Sequence, residues 1–344
     1  MRVVSRAPTR ICLAGGGTDV NPYAAEHGGA IVNVAIDRYH HVTLAPRNDR
    51  RVVVSALGAV HELPLDAPLP DVGDRRFDLL WAIISAFRDA VPSGFALVVQ
   101  SDVSDGSGLG TSGSAAVALV GAFGQWVDGG VAREQVARLA FDIETGELGL
   151  AGGKQDQWAA AFGGLSFTRY GPGELVAVEP LACAEPARQR LRDWLLLIYA
   201  GGRRASAELQ VTLQAGMRGG DRLAALSELA ALADQARVAL EGGDLPAAGE
   251  LFHRGWEAKK RSNPAVTNER IDAIYAAGRR AGALGGKLIG AGGAGYVFFL
   301  CPPQAQPAVV AAVAASAAVP VDFSFDMQGL VVETFDRGDN EAAQ

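Results

Sequence analysis

A chain of 344 residues is long for one hydrophobic core and suits two domains. Apolar content of 49% and charged content of 20% are those of a globular protein, and no uninterrupted apolar run is long enough to span a bilayer. A net charge of −7 with no Lys/Arg-dense face argues against a nucleic-acid partner, so an anionic ligand must be met by a few placed cations and backbone N–H groups. The three cysteines, Cys12, Cys183 and Cys301, have neither zinc spacing nor a disulfide framework, and the first residues lack the apolar core of a signal peptide. Both features lead us to expect a cytoplasmic protein.

In chain order, Arg2 to Ser5 and Arg10 to Ala14 read as short strands around Pro8. Gly15-Gly16-Gly17-Thr18-Asp19 follows, where glycines allow close approach of a ligand and Asp19 would stand at its edge. Asp19 either caps a short helix from Val20 to Glu26 or accepts hydrogen bonds from sugar hydroxyls. Ala30 to Ile36, Tyr39 to Pro46 and Arg51 to Ser55 read as strands of one sheet. His40 and His41 then point to opposite faces, as surface or packing residues and not as joint metal ligands. Leu63 to Asp74 reads as a loop, and Phe77 to Val91 as a helix whose Trp81 belongs to the core or its boundary.

Phe95 to Val103 alternates as a strand and Thr111 to Val127 reads as a helix, with Thr111 or Ser112 as its N-cap. Between them lie Gly106, Gly108 and Gly110. A glycine loop feeding a helix N-terminus is a place to hold phosphate. A P-loop needs a lysine before its hydroxyl residue, and no lysine lies between 101 and 117. G-x-G-x-x-G is literally present from Gly108 to Gly113, but a second helix from Ala132 to Ile143 follows where a dinucleotide fold needs a strand.

Arg133 to Glu144 continues helical and leads into Gly152-Gly153-Lys154-Gln155-Asp156-Gln157. Phosphoryl transfer needs Mg²⁺ on hard oxygens, and Ser112 and Glu144 are candidate ligands. It also needs a group that orients the attacking hydroxyl and takes its proton. Asp156, after two glycines that admit substrate, is that candidate, with Lys154 as a positive charge beside it. As plain alternatives, Asp156 caps a helix and Glu144 is solvated. Leu165 to Tyr170 and Leu175 to Glu179 read as strands, and Pro180 to Arg190 as the domain boundary.

Trp194 to Tyr199 is a further strand, ending at Gly201-Gly202-Arg203-Arg204, which is either an anion clamp or a solvent-facing turn. Leu223 to Leu240, Leu245 to Arg261 and Ile271 to Ala281 are helical by periodicity. Trp256 reads as a boundary aromatic, with Lys259 and Lys260 on a basic face. Gly285 to Gly295 is a third glycine cluster, before the strand Tyr296 to Cys301. Val309 to Ala318 is a helix, Val321 to Met327 and Gly329 to Thr334 a closing hairpin, and 337–344 a frayed tail.

Four segments resemble the GHMP kinases (galactokinase, homoserine kinase, mevalonate kinase and relatives). Gly106-Ser107-Gly108-Leu109-Gly110-Thr111-Ser112 is similar to their G-[S/A]-G-L-G-[S/T]-S loop. Ala7 through Asp19 resembles the first motif of the sugar kinases among them, Gly152 through Gly164 a sugar-kinase signature, and Gly285 through Gly295 the third motif. Within the family the finer resemblance is to bacterial kinases of a phosphorylated heptose. It is carried also by Trp256 to Arg261 and Asp322 to Gly329. The resemblance implies a two-domain α+β fold, a ribosomal-protein-S5-like part over 1–185 and a ferredoxin-like part over 186–336, with the site in the cleft between them. It implies ATP along Ser104 to Ser112, Mg²⁺ on Ser112 and Glu144, and Asp156 and Arg10 as catalytic groups. Sugar contacts are expected from Gly16, Gly17, Thr18, Asp19, Gly153 and Gly292. Arg204 and Lys259 would clamp a phosphate on the acceptor. The partner would be a small sugar phosphate, with neither nucleic acid nor membrane, and a homodimer stays open. The rival readings are a kinase of another sugar or secondary metabolite, and a catalytically silent sugar or nucleotide sensor on the same fold. Two departures from the family pattern are Ser104-Asp105 and Gly113.

Overall fold

The computed structural model describes residues 1–70, 74–104, 106–172, 175–202 and 220–336. Two sheets organise it. In the first, β1 (Arg2–Ala14) and β2 (Gly29–Pro46) form an antiparallel centre. Each is one long strand where the sequence predicts two short ones. The register shifts between Pro8 and Thr9, so that Pro8 faces Tyr39 and Thr9 faces Ile36. That bulge absorbs the missing proline N–H without ending the pairing.

β5 (Phe95–Ser101) pairs with the second half of β2, and β6 (Leu165–Tyr170) with the first half. β7 (Val176–Pro180) joins β6. β3 (Arg51–Ala56) runs parallel to β5 and turns back as β4 (Ala59–Pro64), a strand not predicted from the sequence. The two-residue turn Leu57-Gly58 that closes this hairpin has both φ positive, 54° and 80°, which matches the twist of the flanking strands.

α1 (Tyr23–His27) is shorter than expected and Asp19 does not cap it. α2 (Asp78–Phe87), α3 (Thr111–Asp128), α4 (Arg133–Asp142) and α5 (Gln155–Phe162) follow. One wider turn, Ile143–Glu147, prolongs α4. Small residues let α3 be buried on nearly every side, against β1, β2, α2, α4 and α5. Phe87, Phe95, Phe123 and Trp126 pack edge-on and stacked in the core beneath it, and Trp81 is buried there too.

The second sheet contains β8 (Leu195–Gly201), β9 (Gly285–Leu288), β10 (Gly295–Leu300) and β11 (Val319–Val321). Its antiparallel order β11-β8-β10-β9 is the split connection of a ferredoxin-like sheet. β9 lies inside the third glycine cluster, which the sequence presents as a loop. α6 (Glu185–Trp194), α7 (Gly220–Glu241), α8 (Leu245–Ser262), α9 (Glu269–Arg280) and α10 (Gln306–Ala314) are the α-helices of this half among the described residues. α8 starts where Asp244 accepts from the Ala247 N–H at 3.0 Å, with a proline in its first turn. Trp256 of α8 is wholly buried against Tyr275, so it is a core residue and not a boundary one.

Two expectations change. The closing hairpin does not form: β11 joins the second sheet, and β12 (Val331–Phe335) pairs with β1 in the first. Asp326 makes the crossing turn by accepting from the Gln328 and Gly329 N–H groups at 3.0 and 2.6 Å. The stretch from Pro180 to Arg190 is not a bare linker, because α6 begins at Glu185 with a proline in its first turn. We therefore propose a division near residue 185 in which β12 returns to the first unit. The tail 337–344 and Arg204 lie outside the described residues. Among the described residues no single helix is long and apolar enough to cross a membrane.

Candidate active site

β5 ends at Ser101, and the chain reaches α3 through the second glycine loop. Gly110 (φ 77°) is the residue before the helix, left-handed, and no side chain caps the first turn. The expected hydroxyl cap by Thr111 or Ser112 is therefore absent, because both residues are already helical. The first turn also lacks an acid. Its N–H groups and the positive end of the helix dipole are left for an external anion.

The loop is held from behind. The Arg10 N–H donates to Leu109 O at 3.0 Å, and the Leu109 side chain is buried in the core between the sheets. The third glycine cluster packs onto it backbone to backbone. A Cβ on Gly295 would lie 2.1 Å from Ser107 O, and one on Gly290 2.7 Å from the Gly108 Cα. These glycines exist for close approach. Gly106, Gly108, Gly110, Thr111 and Ser112 face a cavity of about 1260 Å³, whereas Ser107 is buried behind it and Ser104 is exposed outside its wall.

Asp156, in the first turn of α5, lies beside that loop. Arg10 donates to its Oδ1 twice, from Nε at 2.9 Å and Nη2 at 2.6 Å, and to Gly108 O from Nη1 at 2.6 Å. Oδ2 is the oxygen left for another partner. A Cβ on Gly113 would stand 2.6 Å from the Asp156 Cβ, so this departure from the family pattern lets α5 close on α3. The cation beside Asp156 is Arg10. Lys154 is buried with its ammonium 5.6 Å from the Phe141 ring centroid, and it is not part of the cavity wall.

Asp19 is buried on the cavity wall, its carboxylate accepting from the Gln155 N–H at 3.1 Å, the Gln155 side chain at 3.2 Å and the Gly17 N–H at 3.3 Å. Burial pushes its pKa up, partly offset by the Gln155 N–H. Gly153 lies on the cavity wall and also makes room for this carboxylate, since a Cβ there would lie 1.9 Å from Asp19 Oδ2. Thr18 also serves the fold: its hydroxyl donates to Gly15 O at 2.8 Å and accepts from the Ala30 N–H at 3.1 Å. Gly16 and Gly17 line the cavity. Gly292 does not; it packs against Val266, 2.5 Å from where its Cβ would be.

Two buried lysines adjoin this end. Lys259 lines the cavity and donates to Gly290 O at 2.6 Å; burial, then repulsion from Lys287, lowers its pKa to about 7. Lys287 donates to Cys12 Sγ at 3.2 Å, beneath Gly16. Lys260 by contrast pairs with Glu257 at 2.8 Å.

Glu144 and Ser112 meet at the cavity wall in a hydrogen bond, and Gln157 Nε2 donates to Glu144 Oε2 at 2.6 Å. Burial, more than any other cause, raises the Glu144 pKa. Gln157 Oε1 is buried without a partner. Hard oxygens, a carboxylate that a cation would relieve and an orphaned carbonyl oxygen together fit Mg²⁺, which takes few protein ligands beside phosphates and water. Among the described residues no cluster of three or more His, Cys, Asp or Glu offers a cage of its own.

The far end of the cavity is apolar and was not legible in the sequence: Leu57, Leu79, Leu80, Val99, Ala115 and Leu119 come from four separate segments. Only the helical spacing of Ala115 and Leu119 hints at a shared face. His40 is also on the wall and buried, while His41 is exposed 3.3 Å from Asp102. The opposite orientations were expected; a cavity position for His40 was not.

Comparison with known proteins agrees with this arrangement. The family model described as GHMP kinases N terminal domain matches residues 78–164, and that described as GHMP kinases C terminal matches 236–319. The chain is similar to the D-glycero-alpha-D-manno-heptose 7-phosphate kinase of Campylobacter jejuni, 29% identical over 329 residues, 95% of this chain and 97% of the relative. It is 32% identical over 340 residues to a galactokinase of Mycobacterium tuberculosis, covering 88% of this chain and 90% of that protein. The crystal structure of a D-glycero-D-manno-heptose 1-phosphate kinase from Bacteriodes thetaiotaomicron superposes with a TM-score of 0.81 at 29% identity, over 97% of this chain and 99% of that one. Fold and comparisons make this protein a kinase. It belongs to the GHMP kinase family, with ATP the phosphoryl donor expected of that family.

Proposed function

We propose that this kinase transfers the γ-phosphoryl group of ATP to the anomeric hydroxyl of a sugar that already bears a phosphate, in the cytoplasm. The first candidate is D-glycero-D-manno-heptose 7-phosphate, giving the 1,7-bisphosphate. One observation carries the reading. An uncapped helix N-terminus and a half-buried acid paired with a buried arginine open on the same cavity, so a donor phosphate and an acceptor hydroxyl meet there.

The backbone N–H groups from Gly106 to Ser112 hold the donor phosphates, and Ser112 and Glu144 hold Mg²⁺, which when bound offsets charge on the phosphate oxygens. Arg10 fixes Asp156, whose Oδ2 orients the acceptor hydroxyl and takes its proton. Asp19 accepts from a sugar hydroxyl. Most of the acceleration comes from positioning and preorganised charge. The names of two relatives point to a heptose phosphate. The physical support is Lys259 and Lys287, two buried amines near Asp19: burial and then repulsion from Lys287 lower the Lys259 pKa, and an anionic acceptor would relieve both. A second reading, a kinase of another sugar, draws on the galactokinase relative.

The test is a panel of sugars and sugar phosphates assayed with ATP and Mg²⁺. The highest kcat/KM is expected for a 7-phosphorylated heptose. Equal or better turnover of unphosphorylated sugars overturns the reading.

A further inference from the structure

His40 is a buried histidine whose hydrogen-bond roles are fixed by its surroundings. Its Nδ1 lies 3.1 Å from Ser114 Oγ. Ser114 in turn donates to Ala7 O at 2.8 Å. A hydroxyl carries one proton, and a carbonyl oxygen only accepts. The proton of Ser114 is therefore spent on Ala7, and the bond to His40 must be an Nδ1–H donating to Ser114 Oγ. Burial, against a weaker pull from Asp102, lowers the His40 pKa to about 4, so the ring is neutral at physiological pH. In the neutral ring with Nδ1–H, Nε2 is an acceptor.

The position of this acceptor matters. Ser114 belongs to the first turns of α3, its N–H bonded to Gly110 O at 3.0 Å. Across the sheet His40 faces Ala7 on β1 and Ser101 on β5. His40 and Ser101 line the cavity together with Val99 and Ala115 of its apolar end. With Nδ1 spent inward on Ser114, the ring's other nitrogen is the one available to the cavity. Phosphate oxygens are acceptors and would be repelled by it. ATP carries donors only in its nucleoside part, at the ribose hydroxyls and the 6-amino group.

We propose that His40 is a nucleotide-specificity residue whose Nε2 accepts a hydrogen bond from a ribose hydroxyl or the exocyclic amine of bound ATP. The inference rests on ATP occupying this cavity, and the test separates the two. Binding is measured by calorimetry without any sugar, for ATP, 2′-deoxy-ATP, 3′-deoxy-ATP and N6,N6-dimethyl-ATP, on the native protein and on His40→Phe. That variant leaves the Ser114–Ala7 bond in place. One analogue is expected to bind the native protein about two- to tenfold more weakly than ATP, and the difference to vanish in His40→Phe. Equal binding of all four by the native protein, or a preference that survives in the variant, overturns the inference while leaving the kinase reading intact. Failure to bind ATP at all counts against both. Should His40→Phe not fold, ¹⁵N spectra of the native protein decide. A ring protonated on Nδ1, with an Nε2 resonance that moves on adding ATP, supports the assignment; a ring protonated on Nε2, or an unmoved resonance, overturns it.

Discussion

At the end of the cavity proposed for the donor phosphates the available groups are backbone amides; at the end proposed for the acceptor they are charged side chains. The phosphate end is one contiguous loop, Gly106 to Ser112, made usable by what it lacks: a side chain on the glycines that face the cavity, a capping residue, an acid in the first turn of α3. The acceptor end is assembled from three distant segments, of which the first contributes Arg10 and Asp19, the second Asp156 and the third Lys259. A backbone site is sensitive to added atoms. A charge site is sensitive to which groups ionise and what partners them. Gly290 and Gly295 join the two, because they press the third glycine cluster onto the loop while the Gly290 carbonyl holds Lys259.

The largest separation between the two ends is expected from Asp156→Asn. The shape is kept and Arg10 retains an oxygen to bond, but the proton acceptor is gone. Turnover should fall by about two to four orders of magnitude with ATP affinity nearly unchanged, as read by steady-state kinetics beside calorimetry. Near-native turnover would remove Asp156 from its role.

Gly295→Ala probes the other end. Its methyl would stand 2.1 Å from Ser107 O, at a φ of 103°. Denaturant melts should show a loss of about 1–3 kcal/mol, and ATP should bind more weakly. Gly149→Ala is the control, left-handed at 61° but with open space around it; about 1 kcal/mol is expected there with ATP binding intact. Equal effects of the two substitutions on ATP binding would contradict the packing argument.

Glu144→Gln tests the seam between the ends. The Mg²⁺ concentration for half-maximal rate should rise about tenfold or more, and chelation should abolish native activity. An unchanged Mg²⁺ requirement would place the ion elsewhere.

The smallest effect is in pH. Lys259 has a pKa lowered to about 7 from an ordinary 10.5, first by burial and then by Lys287. Between these values the unfolded chain binds more protons at this group than the folded one. The group alone therefore makes stability rise with pH across that window and exerts its full penalty below about 7. The charge offered to an anionic acceptor runs the opposite way. The KM for a sugar phosphate should climb as pH passes above about 7, and Lys259→Met should flatten the climb. A profile unaltered by that substitution would exclude Lys259 from the acceptor site.

The two ends also differed in how well they could be read. The phosphate loop announces itself, since alternating glycines between a strand and a helix are local features, and Gly106 to Ser112 stands where it was expected. The acceptor end depends on tertiary contacts. Arg10 and Asp19 were found through a motif, but the partner of Asp156 was assigned to neighbouring Lys154, whereas Arg10, 146 positions away, makes the bond. Gly292 was expected to touch substrate and instead makes room for Val266, while Gly153 lies on the cavity wall and makes room for Asp19 as well. Glycine marks a close approach without saying what approaches. The hairpin expected at the C-terminus failed for a similar reason, because a turn at Asp326 does not determine which sheet receives the strand that follows. The apolar end, gathered from α2, α3, β5 and the β3–β4 turn, has no local signature.

The central claim is that donor phosphate and acceptor hydroxyl meet at Asp156. Its most direct measurement is ³¹P NMR of the native protein with ATP, Mg²⁺ and a 7-phosphorylated heptose. The account predicts ADP and a new phosphate resonance coupled to the anomeric proton, in equal amounts, both lost in Asp156→Asn. ADP formed without a phosphorylated sugar, or a new phosphate at another carbon, would contradict it.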